Sequence, residues 1–261
     1  AITREEVLDW WQTCVRPDGA VIAVVGDVTV DDAIALTEEY FGDWENPDTP
    51  LPERVEYDFS TAPGDTMVVS MPGKIQIVEV IGCRAPARDD DDYAAFNVMS
   101  RILGGGIGSR LGQNVRETQG LAYMVASGTE GPTSSGSTGS MFYSYLATGA
   151  PNASRALASV LHESARMENE DILIEELLLE KSRSVGRQAM GFDSYDSQAR
   201  YLASSAAAGL PLDRDITYLE QLIEVTPGDV KAAAARYFSD NWFVVAAGGI
   251  DESMEPLEGP L

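Results

Sequence analysis

Ser109-Arg110-Leu111-Gly112-Gln113-Asn114-Val115-Arg116-Glu117-Thr118-Gln119-Gly120-Leu121-Ala122-Tyr123 is the stretch on which the fold turns. Ser109 to Thr118 carries a helical pattern, a glycine follows at 120, and Ala122 to Ser127 reads as a strand whose second residue is a tyrosine. Just upstream, Gly104-Gly105-Gly106-Ile107-Gly108 breaks an earlier helix running from about Tyr93 to Leu103. The order is thus helix, glycines, helix, strand. A dinucleotide fingerprint needs a strand leading directly into the glycines, and no Gly-Lys-Ser/Thr follows for a nucleotide loop. The glycines are read instead as a tight bend between packed helices.

Outward from this stretch, Lys74 to Gly82 is a strand in which Ile75, Ile77, Val78, Val80 and Ile81 imply burial on both faces. Asp89 to Asp92 lies where a helix's first turn favours anions, so these acids are read as capping groups and a solvated face rather than a calcium site. Ser140 to Ala147 is a further strand, separated from Ala122 to Ser127 by a Gly/Ser/Thr-rich loop, 128–139. Helices follow over Pro151 to Met167, Ile172 to Ala189, Tyr195 to Ala208, Asp215 to Ile223 and Pro227 to Tyr237, the last capped by Thr226. Asn241 to Ala247 closes as a strand. The fold class is α+β, a mixed or antiparallel sheet with helices packed on one face.

The beginning of the chain reads differently. Thr3 caps a helix with Glu6 completing a capping box, and Val7, Leu8, Trp10 and Trp11 are its buried side. Arg16-Pro17-Asp18-Gly19 is a turn, Ala20 to Val25 a buried strand, and Val30 to Tyr40 a helix ending before Gly42. A helix, strand and helix of this length end a domain rather than constitute one. The domain boundaries expected are 1–44 for that tail, 45–66 for a proline-bearing linker, 67–250 for the main α+β domain and 251–261 for a C-terminal tail.

Composition bounds the chemistry. The 261 residues contain 18 basic and 42 acidic side chains, a formal charge of −24, and one histidine. A chain of this length buries roughly 70–75% of its unfolded surface. The acid excess argues against nucleic acid and anionic membranes as partners, since both draw affinity from Lys and Arg set against phosphates. Only three basic residues are lysines (Lys74, Lys181, Lys231), a surface suited to high salt, where like-charge repulsion is screened. Cys14 and Cys83 allow at most one disulfide and are read as small core hydrophobes. Residues 1 to 20 show no signal-peptide pattern, and the compartment stays open between cytoplasm and periplasm. His162, the sole imidazole, sits in a helical period without a local nucleophile signature, and one histidine excludes a multi-histidine metal site. Glu175 and Glu176, adjacent on a helix, point apart and are read as a solvated face.

The Ser109 to Tyr123 segment resembles the C-terminal domain of the pitrilysin/insulinase (M16) family of zinc metallopeptidases, which includes processing-peptidase-like bacterial members. Other pieces agree in order. Arg16-Pro17-Asp18, Val24-Val25-Gly26-Asp27 and Tyr40-Phe41-Gly42-Asp43-Trp44 look like the end of the family's N-terminal domain. Asp92-Tyr93-Ala94-Ala95-Phe96, Ile102-Leu103-Gly104-Gly105-Gly106, Glu176-Leu177 to Lys181 and Gly209-Leu210-Pro211 look like the domain after it. The resemblance implies a LuxS/M16-like metallopeptidase domain that closes with a second, similar one around an unfolded peptide. It implies that Arg116 hydrogen-bonds substrate backbone carbonyls and Tyr123 stabilises the oxyanion at the scissile carbonyl.

The family holds zinc through His-x-x-Glu-His, which is absent here, so no metal or cofactor is expected in this chain and no independent activity. Zinc is expected in an N-terminal catalytic domain or on a separate His-x-x-Glu-His subunit. The chain is then either the C-terminal part of a longer endopeptidase or a non-catalytic or structural subunit, with a dimer compatible with both.

Overall fold

Period-two burial along one strand organises the larger of two units into which the chain divides, Tyr57–Val185 with Asp215–Leu261; the smaller comprises Ala1–Glu56 and Gly186–Arg214. The computed structural model describes residues 2–50, 65–130, 140–238 and 242–257. Most of the expected linker, most of the 128–139 loop, the start of the closing strand at Asn241 and the end of the C-terminal tail lie outside the described residues.

Strands β1 (Thr66–Ser70), β2 (Gln76–Ala85), β3 (Ala122–Glu130), β4 (Ser140–Gly149) and β5 (Phe243–Gly248) form one sheet in the order β1-β5-β2-β4-β3. β2 and β4 pair antiparallel over ten residues, from Gln76 opposite Gly149 to Ala85 opposite Ser140. β3 joins β4 and β5 joins β2, also antiparallel, while β1 adds parallel to β5. β1 is not evident in the sequence: Thr-Met-Val-Val-Ser is short, and its ladder comes from a strand far along the chain.

Along β2, Ile77, Glu79, Ile81, Cys83 and Ala85 are buried while Val78 and Val80 are half-buried. Burial on both faces therefore does not hold. Among the described residues helices cover one face, and Ile75 lies before the strand, exposed. The covering helices are α3 (Tyr93–Gly104), α4 (Ala153–Asn169) and α8 (Pro227–Tyr237). At their meeting point Phe96 packs edge-on against Phe142 and Tyr237, with ring centroids 5.9 and 4.9 Å apart, and Phe142 contacts Phe238 at 4.9 Å. Such pairs add about 0.5–1.5 kcal/mol each beyond area burial. Thr226 caps α8 as expected, within a capping box with Asp229. The aspartates before α3 do not cap it. Asp92 accepts hydrogen bonds from Arg236 and from the Tyr237 hydroxyl, and Asp90 accepts the Asp92 N–H at 2.9 Å. Cys83 belongs to the core, whereas Cys14 is exposed, and both are free thiols.

The smaller unit contains α1 (Arg4–Cys14), α2 (Val30–Phe41) and α6 (Tyr195–Ala207), while α5 (Ile174–Gly191) passes from one unit to the other and α7 (Arg214–Glu224) begins at their boundary. Thr3 and Glu6 form the expected capping box. The turn at Pro17-Asp18-Gly19 is fixed by Arg16, whose Nε and Nη2 donate to Asp18 at 2.5 and 2.8 Å and whose Nη1 donates to the Thr49 carbonyl at 3.0 Å. Two expectations fail here. Ala20 to Val25 forms no strand, because an extended segment needs a hydrogen-bonded neighbour and the described residues supply none. The apolar sides of α1 and α2 are uncovered: Trp10 is 62% exposed, Ile34 52% and Tyr40 73%, and neither helix has a buried residue.

Glu79, unremarked in the sequence, sits on the covered face of β2 opposite Leu146 and Ala246, 0% exposed, with both carboxylate oxygens lacking a hydrogen-bond partner. Burial pushes its pKa up to about 8. The folded chain thus binds this proton more tightly than the unfolded chain, whose carboxyl titrates near 4.5. Stability attributable to Glu79 is greatest below that value and falls as pH rises toward about 8, at about 1.4 kcal/mol per pH unit. Urea denaturation of Glu79→Gln at pH 5 and pH 8 is expected to show little change at the lower pH and a gain of roughly 2–4 kcal/mol at the higher. Equal effects at both pH values would place the ionisation elsewhere.

Candidate functional site

The segment between α3 and β3 is built by glycines, one serine and an unusual helix. α3 ends at Gly104, where a Cβ would lie 2.3 Å from the Ser127 hydroxyl oxygen and 2.4 Å from its backbone nitrogen, so only glycine lets helix and strand approach this closely. Gly106 comes next but one, with φ +141°, outside the range open to other residues. The glycines therefore make the bend read from the sequence. Ser109 restarts the helix: its hydroxyl accepts the Gly112 N–H at 3.2 Å and donates to the Gly106 carbonyl at 2.6 Å.

The helical pattern expected through Thr118 is present, but its hydrogen bonding is not α-helical. Gly112–Thr118 is a π-helix, closed by Gln119 N–H to Asn114 carbonyl at 3.0 Å and by the Thr118 hydroxyl to Gln113 carbonyl at 2.8 Å, both across five residues. Gly120, at φ +61°, ends it, its N–H bonded to the Arg116 carbonyl at 3.1 Å. The Leu121 N–H reaches back to the Val115 carbonyl at 3.0 Å, and the Leu121 carbonyl accepts the buried Thr148 hydroxyl at 2.6 Å. Each residue from 119 to 121 is thereby tied either to the helix or to β4.

Arg116 stands in the last turn of the π-helix, half-buried, with its Nε 3.5 Å from the Glu117 carboxylate. Its side chain keeps 40% of its surface accessible, which leaves donors for another acceptor. Tyr123 falls at a register shift in β3: Ala122 pairs with Thr148 and Met124 with Ala147, so Tyr123 is the extra residue of a bulge. A bulge turns a side chain out of the alternation, and Tyr123 is 81% exposed, unusual for a strand tyrosine. The structure thus sets both residues at the two ends of one tightly fixed connection. No hydrogen bond or ring contact joins them.

The polar surroundings were harder to see in the sequence. Glu176 is not a solvated residue: Arg110 donates to it from Nε and Nη2 at 2.9 and 2.8 Å. Burial pushes its carboxyl upward, yet the Arg110 guanidinium outweighs this and holds it below its ordinary range. Glu163 is buried at 1% exposure on α4, while its neighbour His162 is exposed. The donor set does not fit zinc: the described residues contain no group of three His, Cys, Asp or Glu able to hold a metal ion. A separate pocket of about 610 Å³ among α3, α7 and α8, lined by Asp91, Glu220, Glu224 and Arg236, includes neither Arg116 nor Tyr123.

A mixed five-stranded sheet backed by helices on one face, with no cluster of three metal-ligating side chains among the described residues, defines an α+β domain. The chain belongs to the M16 peptidase family: the family described as "Peptidase M16 inactive domain" matches residues 1–184. It is similar to an uncharacterized zinc protease of Mycobacterium tuberculosis, 28% identical over 250 residues that cover 95% of this chain and 56% of that protein. An uncharacterized zinc protease of Mycobacterium leprae is 31% identical over 137 residues, covering 49% of this chain and 28% of that one. The chain thus spans about half the length, or less, of these curated relatives. Among solved structures, a protease from Helicobacter pylori superposes with a TM-score of 0.79 at 20% identity, covering 95% of this chain and 59% of that one. A peptidase M16 inactive domain from Pseudomonas fluorescens gives 0.73 at 24%, covering 99% and 60%. At these identities the two structures establish the fold.

Gly112, the first residue of the π-helix, is also closely packed. A Cβ there would stand 2.5 Å from the Ile107 carbonyl oxygen and 2.6 Å from that of Gly106. Both oxygens are held in place, by Gln113 Nε2 at 2.9 Å and by Ser109. Gly112→Ala is expected to cost about 1–3 kcal/mol in urea denaturation and to speed hydrogen exchange at the Gln119 to Leu121 amides. Unchanged exchange there would show that the π-helix does not depend on this contact.

Proposed function

We propose that this chain is the non-zinc-binding half of a zinc-dependent endopeptidase, closing with a domain or subunit that carries His-x-x-Glu-His around an unfolded peptide. Arg116 hydrogen-bonds the peptide's backbone carbonyls. Tyr123 donates its phenolic proton in a hydrogen bond to the oxygen of the scissile carbonyl as negative charge builds there. The observation that carries this reading is Tyr123 turned out of its strand by a bulge, one short connection away from an arginine with free donors.

Two further features support it. The sheet face opposite the helices is open and apolar, presenting Val78, Val80, Tyr143, Tyr145 and Val245 half-buried. An extended peptide can lie on such a face with little demand on its sequence, its carbonyls taken by a guanidinium rather than its side chains by pockets. The smaller unit leaves Trp10, Trp11, Ile22, Val24, Ile34 and Tyr40 exposed. Apolar exposure on that scale calls for a covering partner, in keeping with residues 1–44 completing an N-terminal domain and with the greater length of the relatives. In this arrangement zinc belongs to the partner, and no step of the chemistry runs through a metal held by this chain.

The test is reconstitution. The chain alone with added zinc is expected to give no peptide turnover, and the chain with its His-x-x-Glu-His partner is expected to cleave an unfolded peptide. In the reconstituted enzyme Tyr123→Phe should lower kcat about 100-fold, as loss of one oxyanion donor does. Arg116→Ala should raise KM at least about tenfold with kcat less affected, because the lost contacts exist in ground and transition states alike. Wild-type kinetics in both variants would refute the assignment of these residues.

A further inference from the structure

Arg116 owes its place to the turn that carries it, and that turn is held from outside by a buried carboxylate. Asn114 closes the π-turn twice, its backbone carbonyl accepting the Gln119 N–H and its side-chain Oδ1 accepting Gln119 Nε2, each at 3.0 Å. Its remaining group, Nδ2, donates to Glu163 Oε1 on α4 at 2.5 Å. Arg116 lies inside the loop so closed, two residues after Asn114 and three before Gln119. Gln119 is anchored in turn, its Oε1 accepting the Ser159 hydroxyl at 3.2 Å.

Glu163 is 1% exposed, and Arg166 Nη1 donates to both its oxygens at 3.1 Å. Arg166 also grips Glu170, its Nε 2.9 Å from both carboxylate oxygens. Sinking a carboxylate this far costs several kcal/mol unless its lone pairs are matched, and an apolar side chain of similar volume would serve the core at least as well. A purely structural ion pair would be complete with Arg166. The third hydrogen bond, to a residue 49 positions earlier in the chain, spends this buried charge on the π-turn instead.

We propose that Glu163, acting through Asn114, is a positioning residue for Arg116: the buried carboxylate fixes the π-turn so that the guanidinium meets the substrate backbone in one orientation. This rests on the reading of Arg116 as a substrate contact. It adds that the contact's effectiveness is set on α4, by a side chain that never meets the peptide. Without the Asn114–Glu163 link the turn can relax toward α-helical bonding, which removes the inserted residue and rotates the positions after it.

The experiment is a double-mutant cycle in the reconstituted two-part enzyme, with kcat and KM read separately on an unfolded peptide. Glu163→Ala is expected to raise KM about three- to tenfold with kcat nearly unchanged, and to change KM less than about twofold when Arg116 is already alanine. Glu163→Gln keeps an oxygen for Asn114 Nδ2 while losing the ion pair with Arg166, and its KM should stay within about twofold of the parent. Asn114→Ala, which leaves α4 untouched, should reproduce the KM increase if Glu163→Ala proves too unstable to study. The proposal is overturned if Glu163→Ala and Asn114→Ala lower only kcat, the mark of a smaller active fraction, or if their effects persist undiminished beside Arg116→Ala. If Arg116→Ala alone leaves KM unchanged, the substrate-contact reading fails first and takes this proposal with it.

Discussion

The ten-residue antiparallel pairing of β2 with β4 is the constraint on which the rest of the larger unit depends. It fixes which residues of each strand face the helices: Ile77, Ile81 and Cys83 from one, Phe142, Leu146 and Thr148 from the other. A slip of β4 by one residue would turn Phe142, Leu146 and Thr148 to the open face and bury Tyr143 and Tyr145 in their place. The same register places the Thr148 hydroxyl under the Leu121 carbonyl and leaves Tyr123 as the unpaired residue where β3 joins β4. The exposed tyrosine is therefore a consequence of strand pairing in the core as much as of its own position.

Much of this was legible in the sequence, for identifiable reasons. Helices with strong punctuation were read almost to the residue: Thr3 with Glu6 at the start of α1, Thr226 before Pro227 at α8, and Gly104 at the end of α3. The bend at the glycines and the hand-over to a strand at Ala122 were also visible, because glycine and alternation are local signals. The α+β class and the M16 family follow from the order of such elements.

What the sequence hid depends on contacts distant in the chain. The apolar run Ala20 to Val25 has the composition of a strand but no partner among the described residues, so it forms none. β1 exists because β5, far later in the chain, supplies its ladder. A helical pattern over so short a span does not tell a π-helix from an α-helix, and the difference lies in which carbonyl Gln119 finds. Glu79, Glu163 and Glu176 carry the same letter but three different environments: an unpartnered carboxyl in the core, a buried anion with three donated hydrogen bonds, and one half of an ion pair with Arg110. Composition treats all three as surface charge. The net charge of −24 counts these acids with the exposed ones, so it does not reveal that those shaping the candidate site are withdrawn from the surface.

The central claim is that Tyr123 faces the substrate of an active site whose metal lies on another domain. A photo-crosslinking amino acid placed at position 123, with the His-x-x-Glu-His partner and an unfolded peptide present, tests this without relying on catalysis. Irradiation is predicted to attach the peptide at position 123 in good yield, and excess uncleavable peptide should suppress labelling. Attachment to solvent or partner surface alone, at a yield indifferent to the peptide, would contradict the account.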